Sequence, residues 1–198
     1  MSRDGKLPFP GHHSPDAGFE APFEMLEACH DRVRRMFALL ARVRQHLDEI
    51  GWEEKVGLAA RDVLRYFEMA APNHHLDEEL HVFPAVLTGP DADLQDIVRG
   101  LHRDHLDMLR AWPAIRQVLQ SIANSSVGQW VPLDDDAKAL LDLFASLYAR
   151  HVEQEDLLIY PASRRLLSVA ALNEMSRDMR QRRGVAALPE HHSGPRIG

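Results

Sequence analysis

A single cysteine, Cys29, stands among the 198 residues. It excludes an intramolecular disulfide and any Cys-rich zinc site. Basic residues are in the minority: 23 Lys plus Arg against 30 Asp plus Glu leave a formal net charge of −7. That argues against a nucleic-acid binder, whose phosphate contacts need a basic footprint. No apolar run approaches the roughly 18 residues of a membrane span. The first twenty residues carry Asp4, Lys6, Asp16 and Glu20 where a signal peptide would have its apolar core. A cytoplasmic protein without membrane contact is expected. Strand-like alternation extends over no useful length, and P-loop, Rossmann and Ser/His/Asp signatures are lacking.

Histidine is what the chain has in excess, 12 in all. His12, His13, His191 and His192 fall in end segments rich in Pro, Gly and Ser, where nothing in the pattern orders them. The organisation expected is an N-terminal tail over 1–18, a helical bundle over 19–167, and a short charged helix with a C-terminal tail over 168–198.

Between the tails the apolar residues recur at three and four, the spacing of an amphipathic helix. Phe23, Leu26, His30, Val33, Phe37, Leu40 and Leu47 form one stripe over 23–47, ended by Gly51. A second helix is expected over about 53–87, with Val63, Phe67, Ala70 and Ala71 inward and a kink at Pro72. Gly89-Pro90-Asp91 stops it, and Asp91 or Asp93 can cap the third, over about 91–123. That helix turns Val98, Leu101, Leu109, Trp112 and Leu119 inward, with a bend at Pro113. The fourth, over about 134–165, opens on Asp134–Asp136 and directs Leu140, Phe144, Leu147, Leu158 and Ile159 inward. Four long helices with short connections predict an all-α, antiparallel up-down-up-down four-helix bundle, with a short fifth helix over 168–182.

Each stripe is broken near its middle by groups that an apolar core should exclude. An unpaired buried polar group costs roughly 1–3 kcal/mol. The first helix places His30 there and the second His74 and Glu78, with His75 and Glu79 one position round. The third places His102 and His105, the fourth His151 and Glu155. One inward histidine is ordinarily a hydrogen-bonded core residue. A set on every helix, with two carboxylates and few cations to pair them, suggests metal ligation. A His and a Glu four residues apart share a helix face, as His74 and Glu78 do, and His151 and Glu155. Two carboxylates from different helices can bridge two metals while imidazoles cap the ends, the general logic of di-metal bundles. Nitrogen and carboxylate donors without thiolate suit iron, manganese or zinc.

The set also repeats. HHLDEELHVFP (74–84) and HVEQEDLLIYP (151–161) both carry Glu four after the first His and close on an aromatic-Pro pair. Phe67 and Phe144 each lie seven residues before that His. His30 and His105 precede the two segments by 44 and 46 residues. The matches favour His74/Glu78 over His75/Glu79 as the primary pair, although Pro72 could rotate the local register. Cys29, next to His30, is read as a packed thiol, His46 and His81 as structural or solvated, and Tyr148 as a core residue facing the site.

In the order His, H-x-x-x-E-E with F-P, D-H, then H-x-x-x-E with Y-P, residues 23–165 resemble the hemerythrin-like family, the HHE cation-binding domain. The resemblance implies an antiparallel four-helix bundle holding two non-haem iron ions, oxo- or hydroxo-bridged, with zinc or manganese second choices. It implies His30 and His74 on one iron, His105 and His151 on the other, and Glu78 and Glu155 bridging. His75 and His102 stand where an added ligand could enter, and Glu79 where it could fix a neighbouring imidazole.

The function expected is that of a metal-binding protein that binds or senses a diatomic ligand, O2 or NO. The alternatives are a di-iron enzyme acting on peroxide or NO, and an iron donor in iron–sulfur repair. The protein partner and the oligomeric state are not encoded legibly.

Overall fold

The computed structural model describes residues 18–185. The outer parts of both expected tails, with His12, His13, His191 and His192, lie outside the described residues. Helix α1 spans Pro22–Glu49, α2 Glu54–Met69 and α3 Ala71–Asp77; a π-helical turn, Glu78–Val82, leads into α4, Phe83–Leu87. Helix α5 spans Ala92–Ala123 and α6 Asp135–Gln154; a second π-turn, Glu155–Ile159, leads into α7, Tyr160–Leu166, and α8 covers Val169–Arg182. Among the described residues the fold is all-helical. No helix among them is long and apolar enough to cross a membrane.

Local chemistry sets the boundaries. Gly51 takes φ 98°, a left-handed conformation that a side chain would strain, and the chain turns there. The Asp91 carboxylate accepts from the amides of Asp93 and Leu94, 3.1 Å each; Asp134 accepts from Ala137 at 2.8 Å. Each cap satisfies amides that the first helical turn leaves orphaned. Helix α5 runs unbroken through Pro113. The interruption expected at Pro72 falls slightly earlier, at Ala70 between α2 and α3.

Helix α1 packs on α2, α2 on α5, α5 on α6 and α6 on α1, closing a ring around the core. Two apolar clusters fill it. One contains Val33, Leu40, Val63, Phe67, Met108, Ile115, Phe144 and Tyr148; the other contains Phe23, Leu26, Val82, Phe83, Val98, Leu101, Ile159, Tyr160, Met175 and Met179. Along α1 and α5 the second cluster comes first, then a histidine, then the first cluster. Along α2–α4 and α6–α7 the order is reversed. The buried polar interruptions, His30, His74, Glu78, His105, His151 and Glu155, therefore meet at one level, between two apolar layers.

Two inward assignments fail. Leu109 is 69% exposed and Leu158 41% exposed. On α5 the buried residues Leu101, His105, Met108, Ile115, Leu119 and Ile122 follow steps of four, three, seven, four and three, and Leu109 falls beside that seam. At Leu158 the π-turn adds a residue to the helical turn, so Ile159 and Tyr160 take the inward places.

Candidate metal centre

At that level six side chains converge with almost no exposure: His30, His74, Glu78, His105, His151 and Glu155. They fall into two overlapping groups, His30, His74, Glu78 and Glu155, and Glu78, His105, His151 and Glu155, within which the ligand-type atoms lie within 4.8 Å of one another. The two glutamates are common to both. Glu78 Oε1 stands 3.3 Å from His74 Nε2 and 3.8 Å from His30 Nε2, while its Oε2 stands 3.5 Å from His105 Nε2. Glu155 divides likewise: Oε2 lies 3.2 Å from His30 Nε2 and Oε1 3.1 Å from His151 Nε2. Each carboxylate thus turns one oxygen to each pair of imidazoles.

The outer ring nitrogens are held from behind. His30 Nδ1 lies 2.7 Å from Asp156 and His105 Nδ1 2.8 Å from Glu79; Asp104 stands 3.5 Å from His151 Nδ1. A carboxylate at Nδ1 fixes the tautomer that presents Nε2 to a metal and raises its basicity. Asp156 follows Glu155 and Glu79 follows Glu78, so the repeat extends to these supports. The Nδ1 atoms of His74 and His151 are both buried without a hydrogen-bond partner, and His151 alone of the two has a carboxylate, Asp104, near that nitrogen.

Charge is balanced inside the cluster. Burial disfavours charged His30, but the carboxylates of Asp156, Glu155 and Glu78 around it prevail and lift its pKa well above 6.5. Burial likewise opposes charged His151, and the Glu155 carboxylate beside it prevails, raising it to about 9. At His74 burial outweighs the raising charge of Glu78, and its pKa falls to about 4. Glu78 is pushed up by burial and down more strongly by His74 and His105, ending well below 4.5.

The donors fit a metal. Glu78 Oε2 and both oxygens of Glu155 are buried with no hydrogen-bond partner, an arrangement costly in an apolar core unless a cation takes their lone pairs. The Nε2 atoms of His105 and His151 are 3.0 Å apart. Two nitrogens ~2.1 Å from one ion and at a right angle would be about 3.0 Å apart.

Three expected donors are not brought into the cluster. His75 stacks flat on His105, ring centroids 4.0 Å apart. Glu79 lies one position round from Glu78, where it meets the back of His105. The His102 side chain is 53% exposed, 3.7 Å from Glu79; three residues before His105, it is rotated roughly 60° off the inward face. The Pro72 region does not rotate the pair, since His74 and Glu78 are the members that face inward.

Sequence reasoning missed Tyr160. Its ring stacks on His30, and its hydroxyl donates to Glu78 and lies 3.1 Å from His30 Nε2. The two π-turns were missed as well. In each, the amide of the aromatic residue bonds five residues back, Phe83 to Glu78 and Tyr160 to Glu155. The signal was the aromatic-Pro pair: proline cannot donate to the carbonyl four before it and crowds that carbonyl, and a widened turn relieves both. Tyr148 packs among the Phe37, Phe67 and Phe144 rings. His46 pairs with Glu53 and His81 with Asp178, and burial raises the Cys29 thiol pKa.

Residues 21–163 match the hemerythrin HHE cation binding domain. Over 170 residues the chain is 32% identical to an uncharacterized protein of Haemophilus influenzae, covering 85% of this chain and 94% of that one.

Proposed function

The chain belongs to the hemerythrin HHE cation-binding domain family, and on that premise we propose that it is a cytoplasmic non-haem di-iron protein that binds O2 or NO. One observation carries the reading: Glu78 and Glu155 each offer one oxygen to the His30/His74 side and the other to the His105/His151 side. This is what two bridging carboxylates between two ions require. The donor set alone admits manganese and zinc; the family kinship favours iron.

His30 and His74 would hold one ion and His105 and His151 the other. Bound iron would supply redox chemistry and an open coordination position for a diatomic ligand. The protein's own groups prepare that position. Asp156 and Glu79 hold the Nδ1 protons of His30 and His105, leaving their Nε2 lone pairs inward, and Asp104 stands 3.5 Å from His151 Nδ1. Tyr160 donates to Glu78 and keeps that carboxylate turned. The apolar clusters above and below exclude water and stop the centre from exchanging freely with solvent.

The test is iron-replete expression, metal analysis, and visible spectra of the reduced protein before and after O2 or NO. About two irons per chain and a stoichiometric, reversible spectral change support the reading. Iron-free protein, or spectra indifferent to both gases, would contradict it. Catalytic consumption of peroxide or NO with an electron donor would replace binding by enzymatic turnover.

A further inference from the structure

The two halves of the repeat differ where α8 touches them. Position by position, Asp77 in the first segment corresponds to Gln154 in the second, and His81 to Leu158. Asp77 is completely buried. It accepts from Arg182 and from Arg183, the latter at 2.6 and 3.3 Å. His81 Nε2 lies 2.7 Å from Asp178, which also pairs with Arg182. Gln154 is half-buried and Leu158 exposed, and neither makes a hydrogen bond or ion pair with α8.

Asp77 and His81 are four residues apart, so they share one helix face, and they straddle Glu78. The π-turn begins at Glu78 itself. A π-turn is an uncommon, locally weak element, and this one carries a carboxylate shared by both halves of the centre. Helix α8 grips it at both ends. Met175 and Met179, fully buried against the second apolar cluster, seat the helix; packing alone would need no charges there. A carboxylate buried as completely as Asp77 is strongly destabilising once its cationic partners are removed. His74, the imidazole with no carboxylate behind it, sits three residues before Asp77 and depends on the same turn.

We propose that α8 is a clasp on the metal centre: Arg182, Arg183 and Asp178 hold Asp77 and His81 as positioning residues that fix Glu78 and so set how tightly iron is retained. The inference rests on the metal-binding reading above.

The experiment uses the full chain loaded with iron. Release to a ferrous chelator after reduction is timed for wild type, the Arg182→Gln/Arg183→Gln double variant and the corresponding Lys/Lys variant. Asp178→Asn and Gln154→Ala complete the set, and each metal-free protein is checked by circular dichroism. The Gln/Gln variant should release iron about 10–100-fold faster, the usual cost of an outer support, with a shifted iron absorption band and unchanged helix content. Lys/Lys should restore much of the retention, Asp178→Asn should fall between, and Gln154→Ala should match wild type. Should Gln/Gln fail to fold, the comparison of Asp178→Asn with Gln154→Ala decides. Release within about twofold of wild type in Gln/Gln and Asp178→Asn, or equal acceleration by Gln154→Ala, overturns the clasp while leaving the metal centre standing. Wild-type protein that takes up no metal overturns the metal reading and the clasp together.

Discussion

Tyr160 lies flat against His30, ring centroids 5.1 Å apart and planes within 9°. Its repeat counterpart Phe83 takes the same place against His105, at 5.4 Å and 25°. Both aromatics enter from the end of a π-turn, so the repeat builds two equivalent ring-on-ring supports. The difference between these two supports is the hydroxyl, which donates to Glu78 on the Tyr160 side.

Tyr160→Phe should therefore keep the iron, since a Phe already serves on the other side. It should cost the metal-free protein about 1.5–3 kcal/mol, the range for a hydrogen bond to a charged group. Urea denaturation measures this, and an unchanged midpoint would show that the hydroxyl contributes nothing.

Glu78→Ala and Glu155→Ala should each remove most of the iron and leave a helical protein, because each carboxylate serves both sides of the centre. Glu79→Ala, which removes only the support behind His105, should weaken retention about 10–100-fold without emptying the site. Metal analysis after dialysis separates the two outcomes. Full iron in Glu78→Ala with loss in Glu79→Ala would restore the His75/Glu79 register.

His102→Ala should change iron retention by no more than about a few-fold. Its imidazole is half exposed and reaches the centre indirectly, through Glu79 at 3.7 Å and the Phe83 ring, and exposed pairs contribute ~0–1 kcal/mol. Emptying of the site on this substitution would place His102 among the ligands after all.

Stability of the metal-free protein should depend on pH in two opposite senses. His151 is raised from 6.5 to about 9 in the fold, burial opposing and Glu155 prevailing. Its contribution is fully present below about pH 6.5 and is lost as pH rises through about 9. Glu78, whose burial is outweighed chiefly by His74, is held below 4.5; its contribution is present above about 4.5 and lost as pH falls through its lowered value. The melting temperature should thus fall between about pH 6.5 and 9 without metal. With metal, the imidazoles are already neutral ligands and the fall should vanish. Parallel profiles for the two forms would contradict this.

The helices and the inward His/Glu set were legible because a polar residue inside an apolar stripe is conspicuous at any register. The rest depended on register after an irregularity. The aromatic-Pro pairs announced some disturbance, but only the widened turns reveal that Leu158 turns outward while Ile159 stays in the core, and that Tyr160 reaches His30. His102 was misjudged for a related reason: three residues from His105 keeps a side chain on the same broad face, and the buried seam of α5 is narrower than that face. The grip of α8 on Asp77 was invisible because local sequence does not tell which partner an Asp will meet a hundred residues later.

The central claim is one centre with two irons joined by Glu78 and Glu155. Mössbauer spectroscopy of protein loaded with isotopically enriched iron tests it most directly. The account predicts about two irons per chain whose spins couple through the shared bridges, giving a diamagnetic ground state in the oxidised protein. A single uncoupled high-spin ferric ion, or two that behave as isolated sites, would contradict it.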